Sequence, residues 1–98
     1  MNIIEELKFL EEALEELSLA QIEVARHREA LEMARASALL GGIITGKNAE
    51  EREAMARTSL TDEYSNLRLA EERLIRARAQ AEIARARLEV AKLLKEEA

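Results

Sequence analysis

The chain has 98 residues, a formal net charge of −5, and no cysteine, proline or tryptophan. It is 48% apolar and 36% charged, which is the composition of a helical bundle and not of a disordered chain. Without cysteine there are no disulfides, thiolate metal sites or cysteine nucleophiles, and no apolar run approaches the roughly 20 residues of a membrane span.

The first ten residues carry Glu5, Glu6 and Lys8 and have no apolar stretch of the kind a secretory signal needs. The expected compartment is therefore the cytosol, that of the host cell if the protein is viral. Asn2 and Glu5 form a capping-box pattern that opens a helix expected over 3–40. Its apolar seam starts as Ile3, Leu7, Leu10, Leu14 and Leu17 and continues through Ala20, Val24, His27, Leu31, Ala34 and Ala38. The two consecutive steps of three around Leu17 read as a stammer in a coiled coil. A second stripe, Leu19, Ile22, Met33 and Leu40, makes the apolar face wider than one partner helix covers.

All three glycines fall in Gly41-Gly42-Ile43-Ile44-Thr45-Gly46-Lys47-Asn48, between long runs of strong helix formers. This is where the backbone is expected to reverse, with Gly41 in the left-handed position that ends the first helix. Asn48 and Glu51 repeat the cap pattern, so a short helix is expected over 49–57 within a corner of 41–60. Thr58, Ser59 and Thr61, followed by Asp62 and Glu63, mark a break at 58–61 with Ser59 or Thr61 as a new N-cap.

The last helix is expected over 62–96, on a strictly three-four seam of Leu67, Ala70, Leu74, Ala77, Ala81, Ala84, Leu88 and Ala91. Alanine at most of these positions allows the helix axes to come unusually close. Leu69, Ile83, Val90 and Leu93 form its second stripe. The fold class implied is all-α: a single domain over 1–98, an antiparallel long-helix hairpin with a short corner helix. The surplus stripes predict a homodimer closing a four-helix bundle, because soluble monomers rarely expose apolar patches beyond a few hundred Å². Self-association is thus assigned to Leu19, Ile22, Met33, Leu40, Leu69, Ile83, Val90 and Leu93.

Charge is unevenly spread: residues 1–24 carry seven Glu against one Lys, and 64–92 carry seven Arg or Lys against four Glu. Mutual pairing of the two arms is the plain expectation. An antiparallel register in which facing residue numbers sum to about 100 sets Glu16 by Arg85 and Arg87, Glu23 by Arg76 and Arg78, and Arg28 by Glu71 and Glu72. Such exposed pairs are each worth less than about 1 kcal/mol and choose register more than they hold the fold.

The chemistry-bearing patterns are sparse. Gly41-x-x-x-x-Gly46-Lys47 matches the start of a P-loop, but a helix precedes it, Asn48 follows the lysine, and Glu50, Glu51 and Glu53 crowd the next turn. Lys47 and Arg57 remain as candidates for a weaker anion site. His27, the single histidine, stands one turn after Glu23 at the wrong spacing for a carboxylate-bridged metal pair, so it reads as a seam residue. Tyr64 reads as a packing residue at the corner. Arg68, Arg73, Arg76, Arg78, Arg85 and Arg87 form the most basic run, the last five being the nucleic-acid candidates, but no aromatic residue lies among them for stacking on nucleic acid. No catalytic residue, metal site or cofactor is expected, and the chain is read as non-enzymatic.

The corner Ile44-Thr45-Gly46-Lys47-Asn48-Ala49-Glu50-Glu51-Arg52-Glu53-Ala54, followed by Asp62-Glu63-Tyr64 and an Arg/Ala/Glu helix, resembles a set of small bacteriophage-encoded helical proteins. They share the Gly-Lys-Asn-x-x-Glu-Arg corner. The resemblance implies a phage origin and a folded hairpin, and carries over no catalytic or binding residue. The leading expectation is an oligomeric helical protein that binds another macromolecule, such as a host protein. The alternatives are a nucleic-acid-binding accessory protein of phage replication or recombination, and a sponge-like binder of an anionic nucleotide at the 41–60 corner.

Overall fold

The computed structural model describes residues 2–97. Three helices account for nearly all of them: α1 at Ile3–Leu40, α2 at Ala49–Ser59 and α3 at Thr61–Glu97. Among the described residues there is no strand, and no helix is long and apolar enough to cross a membrane. The contacts group into two compact units, one of residues 1–22 with 72–98 and one of residues 23–71.

In the first unit, the N-terminal part of α1 lies antiparallel on the C-terminal part of α3. α1 starts where Asn2 accepts a hydrogen bond from the Ile4 N–H at 2.9 Å, while its backbone carbonyl accepts from the Glu6 N–H at 3.0 Å. Ala13, Ala81 and Ala84 form the core, with Phe9, Leu10 and Leu17 against it. Ala81, Ala84, Leu88 and Ala91 of the α3 seam are all buried.

On α1 the seam departs from the expected one. Leu7 and Leu14 face outward, and Glu6 and Ala13 take the buried positions. Burial then alternates three-four from Ile3 through Glu6, Leu10, Ala13, Leu17 and Ala20, so there is no stammer. Heptad phase, kept continuous, outranks side-chain size: Ala13 fits opposite small α3 alanines where leucine would hold the helices apart.

Glu6 is 5% exposed in this seam. Arg87 answers it with a hydrogen bond from Nη2 to Oε1 at 3.0 Å, and Nε stands 2.9 Å from Oε2. The second contact is ionic and poorly aligned, so Oε2 has no aligned hydrogen-bond donor. The same guanidinium lies 4.4 Å from the Phe9 ring centroid. Arg87 therefore pairs with Glu6 and not with Glu16, whereas the register expected from charge would set Leu94 opposite Glu6. Ala13 packs with Ala81 and Ala84, so facing numbers in this unit sum to somewhat less than the expected 100, and the alanine core and this half-buried ion pair fix that register.

In the second unit, α1 ends in a Schellman motif. The Ile43 N–H donates to the Ala38 carbonyl at 2.9 Å and the Gly42 N–H to that of Leu39 at 3.3 Å. The left-handed residue is thus Gly42, at φ 74°, and not Gly41, which continues the helical ladder by donating to Ser37. The motif turns Ile44 inward, where it forms a core with Ala38 and Ala56 under Met55, Leu60 and Tyr64.

Gly46 is the tighter position. Its φ is 150°, and a Cβ there would stand 2.9 Å from the Glu51 Cβ and 3.1 Å from the Arg52 nitrogen. Gly46→Ala should lower unfolding stability by about 1 kcal/mol or more, through both strain and overlap. Gly41→Ala, with only the Ser37 carbonyl at 3.2 Å, should cost less. Urea unfolding of the two variants reads the order directly, and equal losses would contradict this corner geometry.

α2 runs two residues beyond the expected 57. Thr58 turns its hydroxyl onto the Ala54 carbonyl at 3.0 Å and stays helical, so the break narrows to Leu60, at φ −116° and ψ 41°. Thr61 does not cap α3. Its hydroxyl donates back to the terminal carbonyls of α2, to Thr58 at 3.0 Å and Arg57 at 3.3 Å, and Leu60 accepts the Tyr64 N–H instead.

Candidate functional site

The corner of the second unit gathers the polar side chains. Asn48 caps α2 by accepting the Glu51 N–H at 2.9 Å. The Glu51 carboxylate reaches one residue past the usual capping-box partner and accepts the Lys47 N–H at 2.8 Å. Arg52 donates toward the Gly46 carbonyl at 3.4 Å. The stretch with P-loop spacing thus has a helix before it and a carboxylate on its lysine N–H, where a phosphate cradle needs open donors.

Glu53 is the hub of a four-residue network drawn from all three helices. Arg35 of α1 donates to its Oε2 at 2.7 Å, and Arg57 Nε stands 3.2 Å from its Oε1. The Tyr64 hydroxyl donates to the same Oε1 at 3.3 Å and accepts from Arg35. Arg57 also covers the Tyr64 ring, its guanidinium carbon 4.8 Å from the centroid. Tyr64 packs on the corner core as expected, but its hydroxyl serves as a hinge between arginine and carboxylate.

The hydrogen bond from Arg35 holds the Glu53 carboxyl below its ordinary value of 4.5, and the same bond raises Arg35. The folded state therefore binds its Glu53 proton more weakly than the unfolded chain does. The resulting stabilisation is present above pH 4.5 and is lost as pH falls through the depressed folded value. Glu53→Gln should lower the melting temperature near neutral pH, with the gap to the parent shrinking in acid. A gap that is constant with pH would remove Glu53 from the acid response.

Beside this network lies an open groove of ≈ 480 Å³ on the first turns of α3. Arg57, Thr61, Tyr64, Ser65, Leu67, Arg68 and Glu71 line it. Its volume falls within the range of small-molecule sites. Of the two anion candidates, Arg57 borders the groove and Lys47 does not, so they do not share it. Ser65 does not stand out in the sequence, and Arg68 and Glu71 stand there only as part of the basic run and as a partner of Arg28, not as one site. The signal was there, in the spacing of 61, 65, 68 and 71 along one face of a helix.

Elsewhere the candidates stay apart. His27 Nε2 stands 3.6 Å from Glu23 Oε2, and Glu23 also pairs with Arg26 on its own helix. Among the described residues no group of three or more His, Cys, Asp or Glu could hold a metal. Arg73, Arg76, Arg78 and Arg85 are all exposed, and Arg87 is committed to Glu6 and Phe9. The eight residues assigned to self-association all lie exposed, up to 91% at Leu40. Ile4, Leu7, Leu14, Leu39, Ile43, Ile75 and Leu94 join them as exposed large apolar residues that the stripes had not included. No family model, curated protein or solved structure matches this chain.

Proposed function

We infer that this chain is a non-enzymatic, self-associating helical protein that acts by binding other macromolecules, the first of them a second copy of itself. One observation carries the reading. In the unit of residues 1–22 and 72–98, both helices expose large apolar side chains outside their seam: Leu7, Leu14 and Ile22 on α1, Ile83, Val90 and Leu93 on α3. Such a face loses roughly 25 cal/mol for every Å² left in water.

Charge favours a second copy as the occupant. Apart from the half-buried pair of Glu6 with Arg87, the described ion pairs of this unit do not join α1 to α3. Glu11, Glu12, Glu15 and Glu16 on one helix and Arg73, Arg76, Arg78 and Arg85 on the other are exposed and have no ion-pair partner among the described residues. A two-fold pairing lays the acidic arm of each copy along the basic arm of the other, and a dimer of hairpins closes a four-helix bundle. Sedimentation equilibrium tests this. A dimer of the 11.0 kDa chain is expected, and a well-folded monomer at micromolar concentrations overturns the reading.

The same unpaired arginines favour, as a second reading, an accessory role on nucleic acid in a phage context. Salt-dependent retention on single- or double-stranded DNA, weakening steeply as salt rises, would support it.

A further inference from the structure

We propose that the groove on the first turns of α3 is a binding site for a mononucleotide-class ligand, a phosphate ester carrying a planar base. This goes beyond self-association, since the groove belongs to the unit of residues 23–71 and not to the apolar face of the other unit.

The argument starts from the donors. Arg68 has no ion-pair partner among the described residues, and the half-buried Ser65 hydroxyl makes no hydrogen bond there. Only the Nε of Arg57 is committed to Glu53, so its two terminal nitrogens stay available. A guanidinium and a hydroxyl on successive turns of one helix face match the acceptor oxygens of a phosphate, the planar fork giving bidentate geometry.

The rest of the lining fits what a phosphate carries. The Arg57 guanidinium carbon lies 4.8 Å from the Tyr64 ring centroid and its Nε stands 3.2 Å from Glu53, which leaves the solvent side of this planar group to stack on an aromatic base. Leu67 adds an apolar wall, and the exposed Glu71 carboxylate accepts from a ribose hydroxyl or an exocyclic amine. Asp62 and Glu63, the acids of the first turn of α3, are not part of the lining. The volume of ≈ 480 Å³ suits one nucleotide and not a folded partner.

The test is an amide NMR titration with adenosine 5′-monophosphate and, separately, inorganic phosphate. Saturable shifts centred on Ser65 and Arg68 are expected with the nucleotide, and weaker binding with phosphate alone. Arg68→Gln, an exposed and unpaired position whose loss should leave folding intact, should weaken nucleotide binding by about tenfold, the worth of one charge-assisted bond. Arg57→Lys keeps the charge and removes the planar platform, so it should reduce nucleotide binding while leaving phosphate binding close to the parent. Absent shifts, or shifts that Arg68→Gln leaves unaltered, overturn the proposal. So does equal affinity for phosphate and nucleotide, which would make the groove an anion site without a base subsite. Tighter binding of a short oligonucleotide, with shifts spreading to Arg73, Arg76, Arg78 and Arg85, would also overturn it in favour of a nucleic-acid surface.

Discussion

The double substitution Ile22→Glu with Ile83→Glu should convert the proposed dimer into monomers and lower helicity with it. Both side chains belong to the same unit, are exposed at 43% and 48%, and lie outside the seam that joins α1 to α3. Burying a large aliphatic side chain is worth about 1.5–3 kcal/mol. Replacing it by an ionised carboxylate removes that gain and also leaves a charge without a partner in the contact. With two such positions per chain and two chains in the proposed dimer, the expected loss is several kcal/mol, comparable to the net stability of a small domain. Sedimentation equilibrium gives the mass, and circular dichroism at the same concentrations follows the helicity. If the variant keeps the mass of the parent, another surface holds the copies together. If the parent itself is monomeric, the apolar face is available to a different macromolecule.

Ala84→Leu should be strongly damaging although it adds apolar surface. Ala84 is 0% exposed and packs with Ala13 and Ala81, so the close approach of the two helices depends on having only a methyl group there. Three extra carbons force the helices apart or push side chains off their rotamers, at a cost of about 1–3 kcal/mol. For a chain of this size each 1 kcal/mol lowers the melting temperature by about 4–8 °C. Ala86→Leu, two residues along and exposed, is the matched control and should change the melting temperature little. Equal behaviour of the two variants would show that the alanines of α3 do not face α1 in this register.

These two expectations separate what could be read from the residues from what required the fold. The helices were legible because their signals are local. Asn2 and Asn48 each supply a side-chain acceptor for the first turn, three glycines interrupt strong helix formers, and the seam of α3 repeats every three and four residues. The outward stripes were legible for the same reason, since which residues share a helix face depends only on the rise and turn of the helix.

Register and seam phase on α1 were not local. Leu7 and Leu14 are the larger apolar residues, and hydrophobicity alone points to them. Only the neighbouring alanines Ala81 and Ala84 show that the close-packed position opposite belongs to Ala13. Exposed charges suggested pairing Arg87 with Glu16, but such pairs are weak and do not determine register by themselves. The burial of Glu6 decides the matter, because a carboxylate taken out of water must be answered, and Arg87 is the group within reach.

The corner shows the same division. Glycine content announced a reversal, yet which glycine turns left-handed is set by the hydrogen bonds from Gly42 and Ile43 back to Leu39 and Ala38. Glu53 and Arg57 stand one helical turn apart, a spacing at which side chains of one helix meet. That Arg35 and Tyr64 complete the network, and that a groove opens beside it, depends on helices distant in sequence meeting at one place. Periodicity determines which face each residue occupies. Tertiary packing alone decides which face meets which, because that choice rests on volume and desolvation between residues far apart in the chain.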